Sequence, residues 1–152
     1  ADDVHTLAYR LHPSLLEHAG LRPAVEDHIQ QVSRVTGVPI HLKILDVPNA
    51  VPLDQATCLF RVMQESVQNV VKHAQATTVT VQLRGSSKGL GLSVIDDGKG
   101  FNPQDLRTHQ QGLGLSSMEE RLRQLRGFFR IQSRLAHGTK VCAWVPCEVE
   151  VA

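Results

Sequence analysis

The run Gly89-Leu90-Gly91-Leu92-Ser93-Val94-Ile95, followed at once by Asp96-Asp97-Gly98-Lys99-Gly100-Phe101, constrains this chain most. Its apolar, β-branched half reads as a strand, and its acidic, glycine-marked half ends that strand abruptly. A second β-branched run, Thr77 to Leu83, lies just upstream, and the short turn around Gly85-Ser86-Ser87-Lys88 makes the pair a hairpin. Phe129 to Leu135 and Thr139 to Val145 form another hairpin across Ala136-His137-Gly138.

Helices fill the intervals. Val25, Ile29, Val32 and Val35 place one apolar face on a helix from about Arg22 to Thr36, ended by Gly37 and Pro39. Ile40 to Leu45 alternates as a strand, and Asp46 to Pro52 is a loop. Leu53 to Ala74 is the longest helix, with Leu59, Val62, Met63, Val67, Val70 and Val71 apolar. Leu115 to Leu125 is helical, with Gly127 as its cap, and residues 3 to 12 show a helical spacing that His12-Pro13 stops. The sum is an α/β fold, a two-layer sandwich with helices on one face of a mostly antiparallel sheet.

At 152 residues the chain suits one domain. Sixteen Lys+Arg against fifteen Asp+Glu leave a net charge of +1, which offers no electrostatic case for nucleic acid. No apolar run has the length of a membrane span, and Ala1-Asp2-Asp3-Val4-His5 has no signal-peptide pattern. A start without Met, in a helical pattern, reads as a piece of a longer protein. Cys58, Cys142 and Cys147 are odd in number and lack metal spacing, which fits a reducing compartment, with Cys58 and Cys142 as core residues. The eight histidines show no His-Glu-x-x-His spacing, so His5, His18, His28, His41, His109 and His137 are expected at the surface or as caps, and Tyr9 and Trp144 as packing groups.

Chemistry concentrates in three places. Glu65, Asn69, Lys72 and His73 fall on neighbouring rows of one helix. An ordinary solvated stripe would look similar, but Asn is a modest helix former and stands here between apolar residues. An amide oxygen from Asn69, completed by phosphates, suits Mg2+, and Glu65 one turn away suits a base or an orienting group. A strand ending in Asp-Asp-Gly is an ordinary turn signal, yet that leaves the second glycine, Gly100, unexplained. Two glycines let backbone approach a planar ligand, and Asp96 can accept from a base amine. Gly112-Leu113-Gly114-Leu115-Ser116 opens a helix whose free amides favour phosphate. The P-loop pattern fails because Ser93 and Gly100 stand where Gly and Ser/Thr are required, and Gly-x-Gly-x-x-Gly fails at Ser117.

In this order, Glu65-x-x-x-Asn69-x-x-Lys72-His73, Asp96-x-Gly98-x-Gly100, Gly112-x-Gly114-Leu115 and Gly138-Thr139 resemble the GHKL ATPases. The pattern is most similar to the catalytic ATP-binding domain of bacterial sensor histidine kinases of the nitrate-sensor and desaturase-sensor type. Arg10-Leu11-His12-Pro13-Ser14-Leu15-Leu16 and Gly20-Leu21-Arg22-Pro23-Ala24-Val25 resemble that subgroup's link from its dimerisation hairpin. The resemblance implies the Bergerat ATP-binding fold, with residues 1–20 as the hairpin end and linker and 21–152 as the ATPase domain.

It also implies roles. Asn69 ligates Mg2+, Glu65 assists phosphoryl transfer, and Lys72 and His73 approach the phosphates. Asp96 accepts the adenine amino group, Gly98 and Gly100 shape the base pocket, and Thr139 sits near the adenine. Asn102 to Gln111 form a lid, with Gly112, Leu113, Gly114 and Leu115 at the phosphates. ATP and Mg2+ are the implied cofactors, and the γ-phosphate passes to a histidine and then to a response-regulator receiver domain. The implied partners also include the dimerisation and phosphoacceptor domain of the same protein, in a homodimeric parent, with this domain in the cytoplasm. No Arg-x-x-x-Glu-Leu-His-Asp-like box occurs, so the chain is expected to bind ATP without phosphorylating itself. The rival readings are an anti-sigma-type serine kinase, disfavoured by Leu11-His12-Pro13, and a non-catalytic interaction module, disfavoured by intact Glu65, Asn69 and Asp96.

Overall fold

A computed structural model describes residues 14–105, 114 and 116–147. The expected helix over residues 3 to 12, Tyr9, the His12-Pro13 stop, His5, His109, Gly112, Leu113 and Leu115 lie outside the described residues. A helical stretch over 14–19 breaks at Gly20, whose φ of 94° suits glycine alone. The chain then forms α1 (Leu21–Thr36), β1 (Ile40–Leu45), α2 (Leu53–Asn69), a π-helical turn (Val70–Ala74), β2 (Val79–Gly85), β3 (Gly89–Asp96), a 3-10 turn (Pro103–Asp105), α3 (Ser116–Gln124), β4 (Phe128–Ser133) and β5 (Thr139–Pro146).

The five strands lie in the order β1-β2-β3-β5-β4. β1 runs parallel to β2, and every other pairing is antiparallel. The parallel pair needs a crossover, which α2 supplies. The expected two-layer sandwich with a mixed, mostly antiparallel sheet is therefore observed. Alternation sets its faces: Val79, Val81 and Leu83 of β2, Leu90, Leu92 and Val94 of β3, and Val141, Ala143 and Val145 of β5 are all buried. Leu59, Val62, Met63 and Val67 of α2 and Leu122 of α3 close the core from the helical side. Leu16 and Leu21 join the same cluster, so the end of the expected linker packs with the domain.

Gly37 takes the left-handed conformation (φ 74°) and its amide donates to the Ser33 carbonyl at 2.9 Å, a helix stop read correctly from sequence. At the end of α3 the expected glycine cap is wrong in detail. Arg126, not Gly127, takes positive φ (63°). Gly127 is required for another reason, since a β-carbon there would lie 2.1 Å from the Trp144 carbonyl oxygen.

Two side-chain expectations are also corrected. His28 is 4% exposed, packed edge-on against Phe60 with ring centroids 5.8 Å apart. It occupies a position on the buried stripe of α1, where Leu21, Ala24, Val25 and Ile29 also lie. Cys142 is half-buried on the outer sheet face, because it alternates with the inward Val141 and Ala143. Cys58 is buried as expected, and Trp144 packs against Phe128 in a stack at 5.4 Å.

Candidate functional site

Asp96 is the last residue of β3, and α2 packs across β3 and β5. Its core stripe, Cys58, Leu59, Val62, Met63 and Val67, fixes its rotation and leaves Glu65 and Asn69 half-buried on the shoulder. The helix was expected to continue to Ala74. Instead its last turn widens into a π-turn over Val70–Ala74, which carries the exposed Lys72 and His73 and closes at Gln75 in the left-handed region (φ 52°). Such widened turns are frequent at functional sites.

Asp96 is 6% exposed and sits on the helical side of the sheet. Its Oδ1 accepts from the Gly98 amide at 2.8 Å, closing a local turn that brings Gly98 and Lys99 against Ala74 of the π-turn. Burial pushes its carboxyl above the ordinary value, the Gly98 and Thr139 amides pull it down, and the neighbouring Asp97 adds to the rise. Thr139 stands opposite Asp96 in the β3–β5 ladder, and its Oγ1 is 2.8 Å from Ser133 Oγ. The Phe101 amide also donates to Ser133 Oγ at 2.9 Å. A groove of about 220 Å³ opens beside this pair, lined also by Ile95, Arg134, His137 and Lys140.

The glycines of the acidic turn are required by the protein's own backbone. A β-carbon on Gly98 would lie 2.2 Å from the Ala74 carbonyl oxygen, and one on Gly100 (φ 60°) would lie 2.1 Å from that of Arg134. Gly138 (φ 79°) approaches the Asp96 carbonyl oxygen as closely, at 2.0 Å for the same test atom. The turn after β3 is thereby wedged between the π-turn and the β4–β5 hairpin. Lys99 extends this on both sides: its amide donates to the Ala74 carbonyl at 2.7 Å, and its carbonyl accepts from the Ala136 amide at 2.8 Å.

Gly114 comes to Glu65 across the chain, where a β-carbon would lie 3.2 Å from the Glu65 carboxylate. The expected residues thus fall into two groups. Glu65 with Gly114 makes one, and Asp96 with Gly98, Gly100 and Thr139 makes the other. Lys72 and His73 are exposed on the π-turn that Gly98 contacts at Ala74. Glu65, Asn69, Lys72 and His73 do not line the groove beside Thr139. Sequence reasoning missed Ser133, which signals itself only through its ladder position opposite Thr139, and Asp97, whose place in an ordinary turn motif masked it.

Residues 54–149 match the pattern of the histidine kinase-, DNA gyrase B- and HSP90-like ATPase family. The chain belongs to that family. Members share an ATP-binding domain. Among curated relatives, the chain is 36% identical over 146 residues to the signal transduction histidine-protein kinase/phosphatase UhpB of Salmonella typhimurium, covering 95% of this chain and 28% of that protein. It is 31% identical over 145 residues to the sensor histidine kinase MctS of Rhizobium johnstonii, covering 95% and 31%. The chain therefore spans under a third of the length of these relatives. Among solved structures, the histidine kinase domain of the Erythrobacter litoralis EL346 blue-light activated histidine kinase superposes with a TM-score of 0.72 at 20% identity, over 95% of this chain and 73% of that one. That likeness is one of fold. No helix among the described residues is long and apolar enough to cross a membrane.

Proposed function

We propose that this chain is the ATP·Mg2+-binding catalytic domain of a sensor histidine kinase, delivering the γ-phosphate to a histidine on a dimerisation and phosphoacceptor domain for relay to a receiver domain. The observation that carries the reading is the buried Asp96 at the end of β3, flanked by Thr139, with the Glu65–Asn69 shoulder of α2 beyond the π-turn. Burial penalises the Asp96 carboxylate, which the Gly98 and Thr139 amides offset only in part, and the exocyclic amine of adenine would be a further donor to it. The turn through Gly98 and Gly100 would bound the base, and Thr139 would stand beside it.

The donor set also favours a metal brought with the nucleotide. Among the described residues no group of three or more His, Cys, Asp or Glu side chains could hold an ion. One amide oxygen from Asn69 with phosphate oxygens and waters is how Mg2+ is commonly bound, and that ion would neutralise charge on the phosphates. Lys72 and His73, exposed on the π-turn, would face the phosphate end. Gly114 against Glu65 would bring the glycine-rich segment's amides to the same place, with Glu65 polarising or orienting the acceptor imidazole.

The acceptor histidine is assigned to the phosphoacceptor domain, since no matching box occurs in these 152 residues. Titration of the chain with ATP, with and without Mg2+, tests the reading on the parent and on Asn69→Ala and Asp96→Ala. Undiminished binding by Asp96→Ala removes the adenine assignment, and full Mg2+-dependence in Asn69→Ala removes the metal assignment.

A further inference from the structure

The exposed Asp97, which none of the assigned roles uses, holds three hydrogen bonds through its carboxylate beside the site. Its Oδ1 accepts from the amides of Thr77 at 2.8 Å and Thr78 at 3.0 Å, and its Oδ2 pairs with Thr77 Oγ1. Thr77 and Thr78 were expected to begin a strand. They instead precede β2, which starts at Val79 opposite Asp96, so Asp97 takes up the amides of the two residues leading into the ladder. The partners lie 19 and 20 residues apart in sequence, so the contact is tertiary rather than a local turn.

What these bonds tie together matters more than their number. Thr77 follows the π-turn by three residues, and that turn carries Lys72 and His73. Asp97 follows Asp96 directly. Lys99 completes the clasp by donating to the Ala74 carbonyl, and Gly98 makes room for it. The segment from 74 to 78 is thereby fastened at both ends to the segment from 97 to 99.

We infer that Asp97 is a positioning residue that sets the span between the base-binding end of the site, at Asp96, and its phosphate end, at Lys72 and His73. The inference rests on the proposed nucleotide reading. A ligand that bridges both ends should depend on Asp97, whereas a ligand that occupies only the base end should not. Misplacing a phosphate contact by an ångström is enough to cost a large factor.

The experiment compares ATP·Mg2+ with adenosine, on the parent chain, Asp97→Ala and Asp97→Asn, by calorimetry for the first ligand and NMR titration for the second. Asp97→Ala is expected to weaken ATP·Mg2+ by roughly ten- to a hundredfold and to leave adenosine unchanged. Asp97→Asn keeps an oxygen for the two amides and an amide nitrogen opposite the Thr77 hydroxyl, and is expected to restore most of the loss. Equal weakening of both ligands, no weakening of either, or an Asn variant no better than Ala overturns the inference.

Should Asp97→Ala not fold, Thr77→Val removes only the hydroxyl bond. It is expected to weaken ATP·Mg2+ to a smaller extent with adenosine unaffected, and an undiminished ATP·Mg2+ affinity overturns the inference. Failure of the parent itself to bind ATP·Mg2+ overturns the nucleotide reading and this inference together. A parent that binds with the expected Asn69-dependence, yet ignores Asp97, overturns only the inference.

Discussion

Asp96 and Thr139 face one another across the last rung of the β3–β5 ladder, and the Thr139 amide holds the Asp96 carboxylate that burial would otherwise discourage. The ladder that builds the core thus ends in a polar pair at the rim of the site. Gly138, one residue before Thr139, is obliged to be glycine by the Asp96 backbone, so the rung and its neighbour form one unit.

From this pair comes a separation of stability from binding. Burial raises the Asp96 carboxyl, so the folded state takes up its proton more readily than the unfolded chain, and the ionised form at neutral pH costs stability. Asp96→Asn keeps an oxygen for the Gly98 amide and removes the charge. Thermal melts at pH 7 should show it no less stable than the parent, while ATP titration shows a marked loss of affinity. A variant that binds ATP normally contradicts the base-reading role.

Asp97 behaves in the opposite sense. The Thr77 hydroxyl and the Thr78 amide lead in lowering its carboxyl to about 2, from an ordinary 3.8. A depressed folded value means that the unfolded chain binds the proton first, so the contribution is whole above about pH 4 and is lost as pH falls toward 2. Acid titrations followed by circular dichroism should show that component in the parent and a flatter profile over the same window in Asp97→Asn.

The glycines are not equivalent. Gly100→Ala meets positive φ and the Arg134 carbonyl together, and is expected to destabilise by about 1–3 kcal/mol or more. Gly91→Ala, whose β-carbon would meet only ordinary contacts at 3.8 Å, should be neutral or gain about 0.5 kcal/mol in denaturant unfolding. Equal effects at the two positions would mean that the wedge around Gly100 is not rigid.

Glu65→Gln separates binding from transfer. ATP affinity should stay close to that of the parent, and phosphate transfer to a supplied phosphoacceptor domain should fall by about 10²–10⁴-fold. Truncating the buried Met63 two residues earlier should instead cost about 2–5 kcal/mol of stability, with activity lost only as the fold is lost.

Much of this was readable in the sequence where neighbours along the chain decide the outcome. The alternation in Ile40 to Leu45 gave β1 its bounds, and the apolar spacing in Leu53 to Asn69 gave α2 its inward face. Asp96, Glu65 and Asn69 could be singled out because each interrupts a regular pattern. Other features depend on residues distant in sequence. The burial of His28 follows from Phe60, and the backbone crowding at Gly98 and Gly100 comes from Ala74 and Arg134. The switch from α to π at Val70 follows no spacing rule, and its end is held by partners more than twenty residues on.

The parallel pairing of β1 with β2 has a consequence for how the site can open. α2 is the covalent bridge between two strands that are also zipped to each other over six residue pairs. Lifting the helix from the sheet strains both ends of that loop at once. Amides around Glu65 and Asn69 should therefore exchange with solvent on the timescale on which β1 parts from β2, as one cooperative block, and not by fraying of a single helix. The proposed phosphate end is in this sense the stator of the domain, a fixed reference against which any moving part must register.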